Sequence, residues 1–264
     1  MRPAPSPAKL AVPNGSSRLV DLDAFAARLE PHLTVIKPEG TGPFPVVVQL
    51  HGCGGIQPMQ MRYARTACEA GVAAVVVDSL APRRIGRREA QFTVCTGLRL
   101  RGAERASDLL AMLHWLERQA WAGPVAAAGW SHGGWAIMEA MVESRPGRGA
   151  ELADRLKAAI LIYPYAGPPA RTAARGWGAR RPKVHALLGG RDAVVGVVAP
   201  ARALRRLADD GVDVRVTTLA DATHCFDDDK ADDPRTIYSP ELEAQAHRFY
   251  SAALREGLGL SGAG

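Results

Sequence analysis

Short runs that are apolar at nearly every position recur along the chain, at Phe44–Leu50, Val72–Val77, Val125–Ala128, Ala158–Tyr163 and Lys183–Leu188. Runs this short, without polar alternation, are the pattern of strands buried on both faces of a parallel sheet. The stretches between them carry helical spacing. It is clearest in Arg101–Glu117, where apolar residues return every three or four positions, and it extends to Met59–Ala70, Ala199–Ala208 and Pro240–Leu254. Gly71 supplies a natural stop for the helix that precedes it. Asp21–Leu29 reads as a short helix, Leu33–Lys37 as an alternating strand, Pro38–Pro43 as a turn and Val212–Leu219 as a late strand. Strand and helix alternate throughout, which predicts an α/β fold with a mostly parallel central sheet and helices on both faces. No composition break divides residues 21–258, which are expected to form a single domain. Residues 1–20 begin with a Pro-, Ala- and Ser-rich stretch and are expected to be a flexible N-terminal segment.

One junction in this pattern carries chemistry. The run Val125–Ala128 leads into Gly129-Trp130-Ser131-His132-Gly133, and helix-compatible residues follow to about Val142. Strand, Gly-x-Ser-x-Gly and helix in that order describe a nucleophile elbow, a sharp turn that lifts a serine to the end of a sheet. A serine hydroxyl is a weak nucleophile, so it needs a base, and the base needs a carboxylate to orient it. In open α/β sheets those partners follow later strands, acid first and histidine second. Asp192 lies just past Lys183–Leu188 and the Gly189-Gly190 pair, and His224 lies just past Val212–Leu219. Asp209 and Asp210 fall at a helix end, and His114, His185 and His247 fall inside helices or a strand. Acyl transfer also needs two N–H donors for the developing oxyanion. His132, directly after the serine, supplies one. The other is assigned to Cys53 in His51-Gly52-Cys53-Gly54-Gly55, with Gly54 as the fallback, because glycines let a loop turn its amides inward. His51 is expected to hold this loop by local hydrogen bonds. Gly54 and Trp130 are further candidates for substrate contact.

Composition narrows the class without changing it. Hydrophobic content of 47% and charged content of 23% are those of an ordinary globular protein. The net charge of +6 comes from scattered arginines without interleaved aromatics, which argues against a nucleic-acid partner. No apolar run reaches the roughly 18 residues that would span a bilayer. The N-terminal stretch lacks the continuous apolar core of a secretory signal, so a cytoplasmic location is expected. A periplasmic or secreted location is the alternative if a leader has been removed. The four cysteines show no metal-ligand spacing, and neither metal nor organic cofactor is expected. Cys68 reads as a buried small hydrophobe and Cys225 as pocket lining. Nothing in the sequence sets the oligomeric state.

Taken together, Leu50–Gly55, Val77-Asp78-Ser79 with Pro82-Arg83, Gly129–Gly134, Gly189–Asp192, Ala222–Phe226 and Tyr238-Ser239-Pro240 resemble the dienelactone hydrolase family of the α/β-hydrolase fold. The resemblance spans about residues 33–255. The family's name-giving enzyme carries a cysteine nucleophile where this chain has Ser131, a departure that favours a general serine esterase over dienelactone as substrate. The family's carboxylate-binding arginine corresponds to Arg83, which reads equally as a solvated loop residue. Cys53 and Cys95 are either a bridge tying the oxyanion loop to the loop after Asp78, which would imply an oxidising compartment, or two free thiols. No insertion is large enough for a full cap domain. Tyr165–Arg181 reads as a long surface loop, with a mobile rim over the site as the alternative. The expected activity is cleavage of small-molecule carboxylic esters or lactones through an acyl-enzyme. A peptidase or amidase of the same fold, and a non-catalytic binding protein, are the other readings.

Overall fold

The structure is a computed structural model that describes residues 9–11, 19–142 and 147–260. The elements in chain order are β1 (Lys9–Ala11), β2 (Leu19–Asp21), α1 (Leu22–Leu29), β3 (Leu33–Ile36), β4 (Phe44–Leu50), α2 (Pro58–Glu69) and β5 (Ala73–Val77). Next come α3 (Arg87–Thr93), α4 (Gly102–Leu116), β6 (Ala122–Trp130), α5 (His132–Met141), α6 (Arg148–Ala153) and β7 (Leu156–Ile162). The chain closes with α7 (Thr172–Arg175), β8 (Lys183–Gly189), α8 (Val198–Asp209), β9 (Val214–Leu219) and α9 (Pro240–Gly257).

Seven strands form one sheet in the order β3-β5-β4-β6-β7-β8-β9. All neighbours are parallel except β3, which runs antiparallel to β5. The apolar runs serve two cores at once. Val46, Val48 and Leu50 face the core shared with α1, α4, α5 and α8, while Val47 faces the one shared with α2 and α9. On β6, Val125 and Ala127 go to the first side, and Ala126, Ala128 and Trp130 go to the second. A strand loaded on both faces has no polar face to show, which is why its sequence does not alternate.

The strand order reverses between β4 and β6. After β4 the chain steps outward to β5, and β6 then returns to the other side of β4. The loops leaving β4 and β6 therefore diverge from adjacent strand ends, the usual position of a ligand crevice in an open sheet. Register makes the juxtaposition tight, because Leu50 pairs with Gly129, so His51–Gly55 starts beside Trp130–Ser131.

Helix ends follow local rules. Pro58 opens α2, where the Gln60 side chain accepts from the Gln57 amide at 2.6 Å. Gly71 follows that helix with φ +80. Ser239 caps α9 by accepting from Leu242 N at 3.3 Å.

The chain departs from the sequence reading in its small elements. The short helices α3, α6 and α7 carry too few residues to display a period. Most of the expected flexible segment lies outside the described residues, but Lys9–Ala11 pairs antiparallel with Leu19–Asp21. Cys68 is half-buried rather than buried.

The tightest packing lies where α5 meets the sheet. A Cβ on Gly133 would stand 2.0 Å from the Leu50 carbonyl oxygen, and one on Gly129 would stand 2.5 Å from Gly133 and Gly134 backbone atoms. These are backbone collisions, which no side-chain rearrangement relieves. Gly133→Ala is therefore expected to destabilise the fold by about 3 kcal/mol or more, the upper range of overpacking. Urea denaturation monitored by circular dichroism measures it, and a midpoint equal to the wild-type value would contradict the packing argument.

Candidate active site

Ser131 sits at the turn between β6 and α5 with φ +50 and ψ −111, a backbone conformation rare for a residue with a side chain. The surroundings hold it there. Its amide donates to Ile162 O at 3.0 Å, and its carbonyl accepts from Trp135 N and Tyr165 N, each at 3.1 Å. The end of β7, the first turn of α5 and the loop after β7 thus lock one turn.

His224 reaches this serine from the loop after β9. Its Nε2 lies 3.0 Å from Ser131 Oγ, and its Nδ1 lies 2.7 Å from Asp192 Oδ2. Asp192 Oδ1 accepts from the amides of Val194 at 2.9 Å and Val195 at 3.0 Å. Burial alone would raise the Asp192 pKa. The His224 hydrogen bond and charge, joined by the two amides, outweigh burial and hold the carboxyl below its ordinary value. The three side chains expected from the sequence are therefore brought into one buried hydrogen-bonded chain.

Ser131, His224, Cys53, Gly54 and His132 all border one cavity of about 970 Å³. His132 opens α5, so its amide belongs to the first turn and has no partner within the helix. The Cys53 amide makes no backbone hydrogen bond among the described residues. His51 is fully buried. Its Nδ1 lies 2.6 Å from Gly52 O and its Nε2 accepts from Ser79 N at 3.1 Å, which is the local bracing expected of it. The His132 side chain is also buried and is kept neutral, its pKa pushed down to about 3 by burial and by the nearby Arg105 charge.

One expected substrate contact, Arg83, is corrected, and Trp130 meets the cavity only at its edge. Arg83 does not border the cavity. Its guanidinium grips buried Asp108 through two bonds of 3.1 and 2.6 Å and also donates to Ser79 O at 2.7 Å, so its donors are spent inside the protein. Trp130 lies at the cavity edge, but its side chain is only 1% exposed and packs against Tyr63 and Tyr250 in the core.

Other residues build the walls. Cys53 and Cys95 form a disulfide with Cα atoms 5.1 Å apart, tying the loop after β4 to the segment after α3. That segment supplies Val94, Thr96 and Leu98 to the cavity. Arg87 and Gln91 on α3 reach across to the loop after His224, with Gln91 Nε2 donating to Asp232 Oδ2 at 2.9 Å and Arg87 donating to Lys230 O at 3.3 Å. The opposite wall is aromatic, with Trp135 and Tyr165 rings 5.1 Å apart, followed by Pro168 and Pro169. Beyond that rim the segment is anchored. Trp177 is fully buried, and Arg171 Nε pairs with buried Glu139 at 2.5 Å.

Behind His224 lies a further network. The Tyr163 ring meets the imidazole edge-on at 4.8 Å, and its hydroxyl donates to Asp227 Oδ1 at 2.7 Å. Tyr63 donates to the other oxygen, also at 2.7 Å. Asp227 is fully buried, which pushes its carboxyl up to about 6 despite both hydroxyls. Cys225 borders the cavity beside His224, and burial with nearby carboxylates pushes its thiol up, so it stays protonated.

Comparison with known proteins agrees with this architecture. The structure of dienelactone hydrolase from Anabaena variabilis is 18% identical with a TM-score of 0.62, covering 98% of this chain and 100% of that one. Est1E from Butyrivibrio proteoclasticus, solved with ferulic acid bound, is 15% identical with a TM-score of 0.61 over 86% of this chain and 95% of that one. An esterase from Thermogutta terrifontis with butyrate bound is 17% identical with a TM-score of 0.62, over 87% and 91%. No curated protein sequence matches the chain. The structural likeness establishes the α/β-hydrolase fold, here without a large cap among the described residues. The model of the dienelactone hydrolase family matches residues 33–255, so the chain belongs to that family and is a carboxylic-ester hydrolase.

Two outcomes follow from these walls. The raised Asp227 carboxyl holds its proton more tightly in the folded than in the unfolded chain, whose reference value is 3.8. Its stabilising contribution is thus complete below that value and is lost as pH rises through about 6. Asp227→Asn should be more stable than wild type above roughly pH 6, by on the order of 2–3 kcal/mol, and the gap should close near pH 4. Urea midpoints across that range test it, and a gap that does not change with pH would contradict it. Cys95→Ser opens a covalent ring with a sequence separation of 42 residues and should cost about 4 kcal/mol by the chain-entropy relation. Calorimetry of the variant against oxidised wild type measures that loss.

Proposed function

We propose that the chain hydrolyses small carboxylic esters or lactones through a serine-bound acyl intermediate. In this reading Ser131 Oγ attacks the carbonyl carbon as His224 Nε2 takes the hydroxyl proton. The carbonyl oxygen becomes an oxyanion facing the Cys53 and His132 amides. Collapse of this intermediate expels the alcohol, which takes the proton from His224, and leaves the acyl group on Ser131. Water then repeats the sequence, giving its proton to His224 and releasing the carboxylic acid and free serine. Asp192 fixes the imidazole tautomer and supports its positive charge.

The observation that carries this reading is the unbroken Ser131–His224–Asp192 chain of 3.0 and 2.7 Å at the elbow. The aromatic and proline wall beside Ser131 suits an apolar acyl group, because apolar surface there is removed from water on binding. The chemistry uses side chains and backbone amides alone. The Cys53–Cys95 bond supports a periplasmic or secreted location over the cytoplasmic one, where thiols are kept reduced.

Ser131→Ala should lower turnover of p-nitrophenyl acetate by several orders of magnitude while leaving the circular dichroism spectrum unchanged. Full activity in that variant would sink the assignment. A fluorophosphonate probe should label wild type and not the variant, which separates an enzyme from a binding protein on the same fold. A matched set of anilide substrates, expected to turn over far more slowly than the esters, tests the amidase alternative.

A further inference from the structure

Helix α4 carries a buried cation that the proposed reaction leaves unused. Arg105 is 1% exposed, yet its guanidinium reaches three different elements. Nε donates to Ser79 Oγ at 2.8 Å, Nη1 donates to the His51 carbonyl at 2.6 Å, and Nη1 also lies 3.3 Å from His132 Nδ1. Nη2 is buried without a hydrogen-bond partner among the described residues. Burying a cation is costly, and an apolar side chain of similar size usually stabilises a core at least as well. The arrangement therefore needs a reason beyond packing.

The surrounding charges show how this cation is kept. Asp108, one turn along α4, is engaged by Arg83 from the loop after β5, and Asp78 stands at the start of that loop. Both carboxylates favour the charged guanidinium, whereas Arg83 opposes it. Burial lowers the Arg105 pKa to about 10, which leaves the group charged at neutral pH. His51 and His132, which face it from the loop after β4 and from α5, are both held neutral by burial. They offer a carbonyl oxygen and a ring nitrogen to the cation and no competing charge.

We propose that Arg105 is a positioning residue for the oxyanion site, holding one donor segment by the His51 carbonyl and the other by the His132 ring, and adding a fixed positive charge next to both. His51 lies two positions before Cys53, and His132 is itself the second donor. Arg105 grips the loop at His51, while the disulfide holds the same loop at Cys53. The proposal rests on Ser131 being the nucleophile. A ground-state ester carbonyl carries little charge and the tetrahedral intermediate carries a full one, so the effect belongs in kcat rather than KM.

The test compares Arg105→Gln and Arg105→Lys with wild type, measuring kcat and KM on p-nitrophenyl acetate at a temperature where circular dichroism shows each protein folded. Leu207→Ala, which truncates a buried residue on α8 outside the cavity lining, reports what destabilisation alone does. Arg105→Gln should lose about 10–100-fold in kcat with KM within about threefold. Arg105→Lys should recover part of that loss and show an alkaline fall in kcat at lower pH than wild type, because a buried lysine sheds its proton more readily than arginine. Leu207→Ala should melt at a lower temperature with kcat unchanged. The proposal is overturned if the folded Arg105 variants keep kcat within about twofold of wild type, or if the loss appears in KM instead. Should Arg105→Gln fail to fold, the lysine variant decides, since a full kcat with an alkaline limb no lower in pH than wild type would overturn the proposal on its own. An inactive Ser131→Ala beside fully active Arg105 variants removes this inference alone, whereas an active Ser131→Ala removes the esterase mechanism itself.

Discussion

The contact on which everything else depends is backbone against backbone. At Gly133 the first turn of α5 lies so close to the Leu50 carbonyl that only a hydrogen fits between them. That approach allows β6 to end, reverse at Ser131 and start a helix without leaving the neighbourhood of β4. The strained φ of Ser131 is a consequence of the same closeness, held by bonds to Ile162, Trp135 and Tyr165. Once the turn is set, the loop after β4 has one available place, alongside the serine. The remaining strands then decide where the acid and the imidazole emerge. A parallel sheet delivers all of these groups to one edge because each connection returns the chain to the same end.

Much of this was readable from the chain, for a physical reason. Central strands announce themselves by unbroken apolar runs, and residues just past such runs are delivered to the sheet edge whatever the helices do. That rule and the Gly-x-Ser-x-Gly pattern locate Ser131, the rule locates Asp192, and His224 is located by its order after the acid and its place past a late, partly polar strand; His51 reads as a brace. What failed to show was anything set by packing between distant segments. Arg83 reads as a loop residue open to substrate or solvent, but buried Asp108 and the Ser79 carbonyl take up its donors. Trp130 borders the cavity, but its ring packs into the core, a division that no local pattern encodes. Arg105 left a faint signal, since it occupies the inward stripe of α4 with Ala106, Leu109 and Met112. A charged residue on such a stripe marks a buried polar contact even when its partner is unknown. The aromatic wall of Trp135 and Tyr165 left none, because its members come from a helix and a loop whose approach no local pattern encodes.

The cavity has two characters that the fold assigns to different parts of the chain. The segment from Leu80 to Arg101 contributes a wall with its own small apolar cluster of Leu80, Ile85, Ala90, Val94 and Leu100. Its polar side is linked through Arg87 and Gln91 to the loop that carries His224. The β7–α7 connection contributes Tyr165 and the two prolines, which meet Trp135 of α5 to form the aromatic surface. Both are connections that leave strand ends, so they can change without disturbing the sheet. Specificity is therefore separable from the reacting groups, which stand in the turn and loops just past β6, β8 and β9.

The Cys53–Cys95 bond has a topological consequence as well as an energetic one. It closes a covalent ring that contains α2, β5 and α3, and part of that ring lies on the surface, with Phe92 75% exposed. A protease that cut the chain there would produce two fragments still joined through sulfur. β5 would remain clasped between β3 and β4, and the two pieces would leave together as one particle until a reductant released them. Wherever proteases are common and thiols scarce, such a ring makes a surface cut survivable.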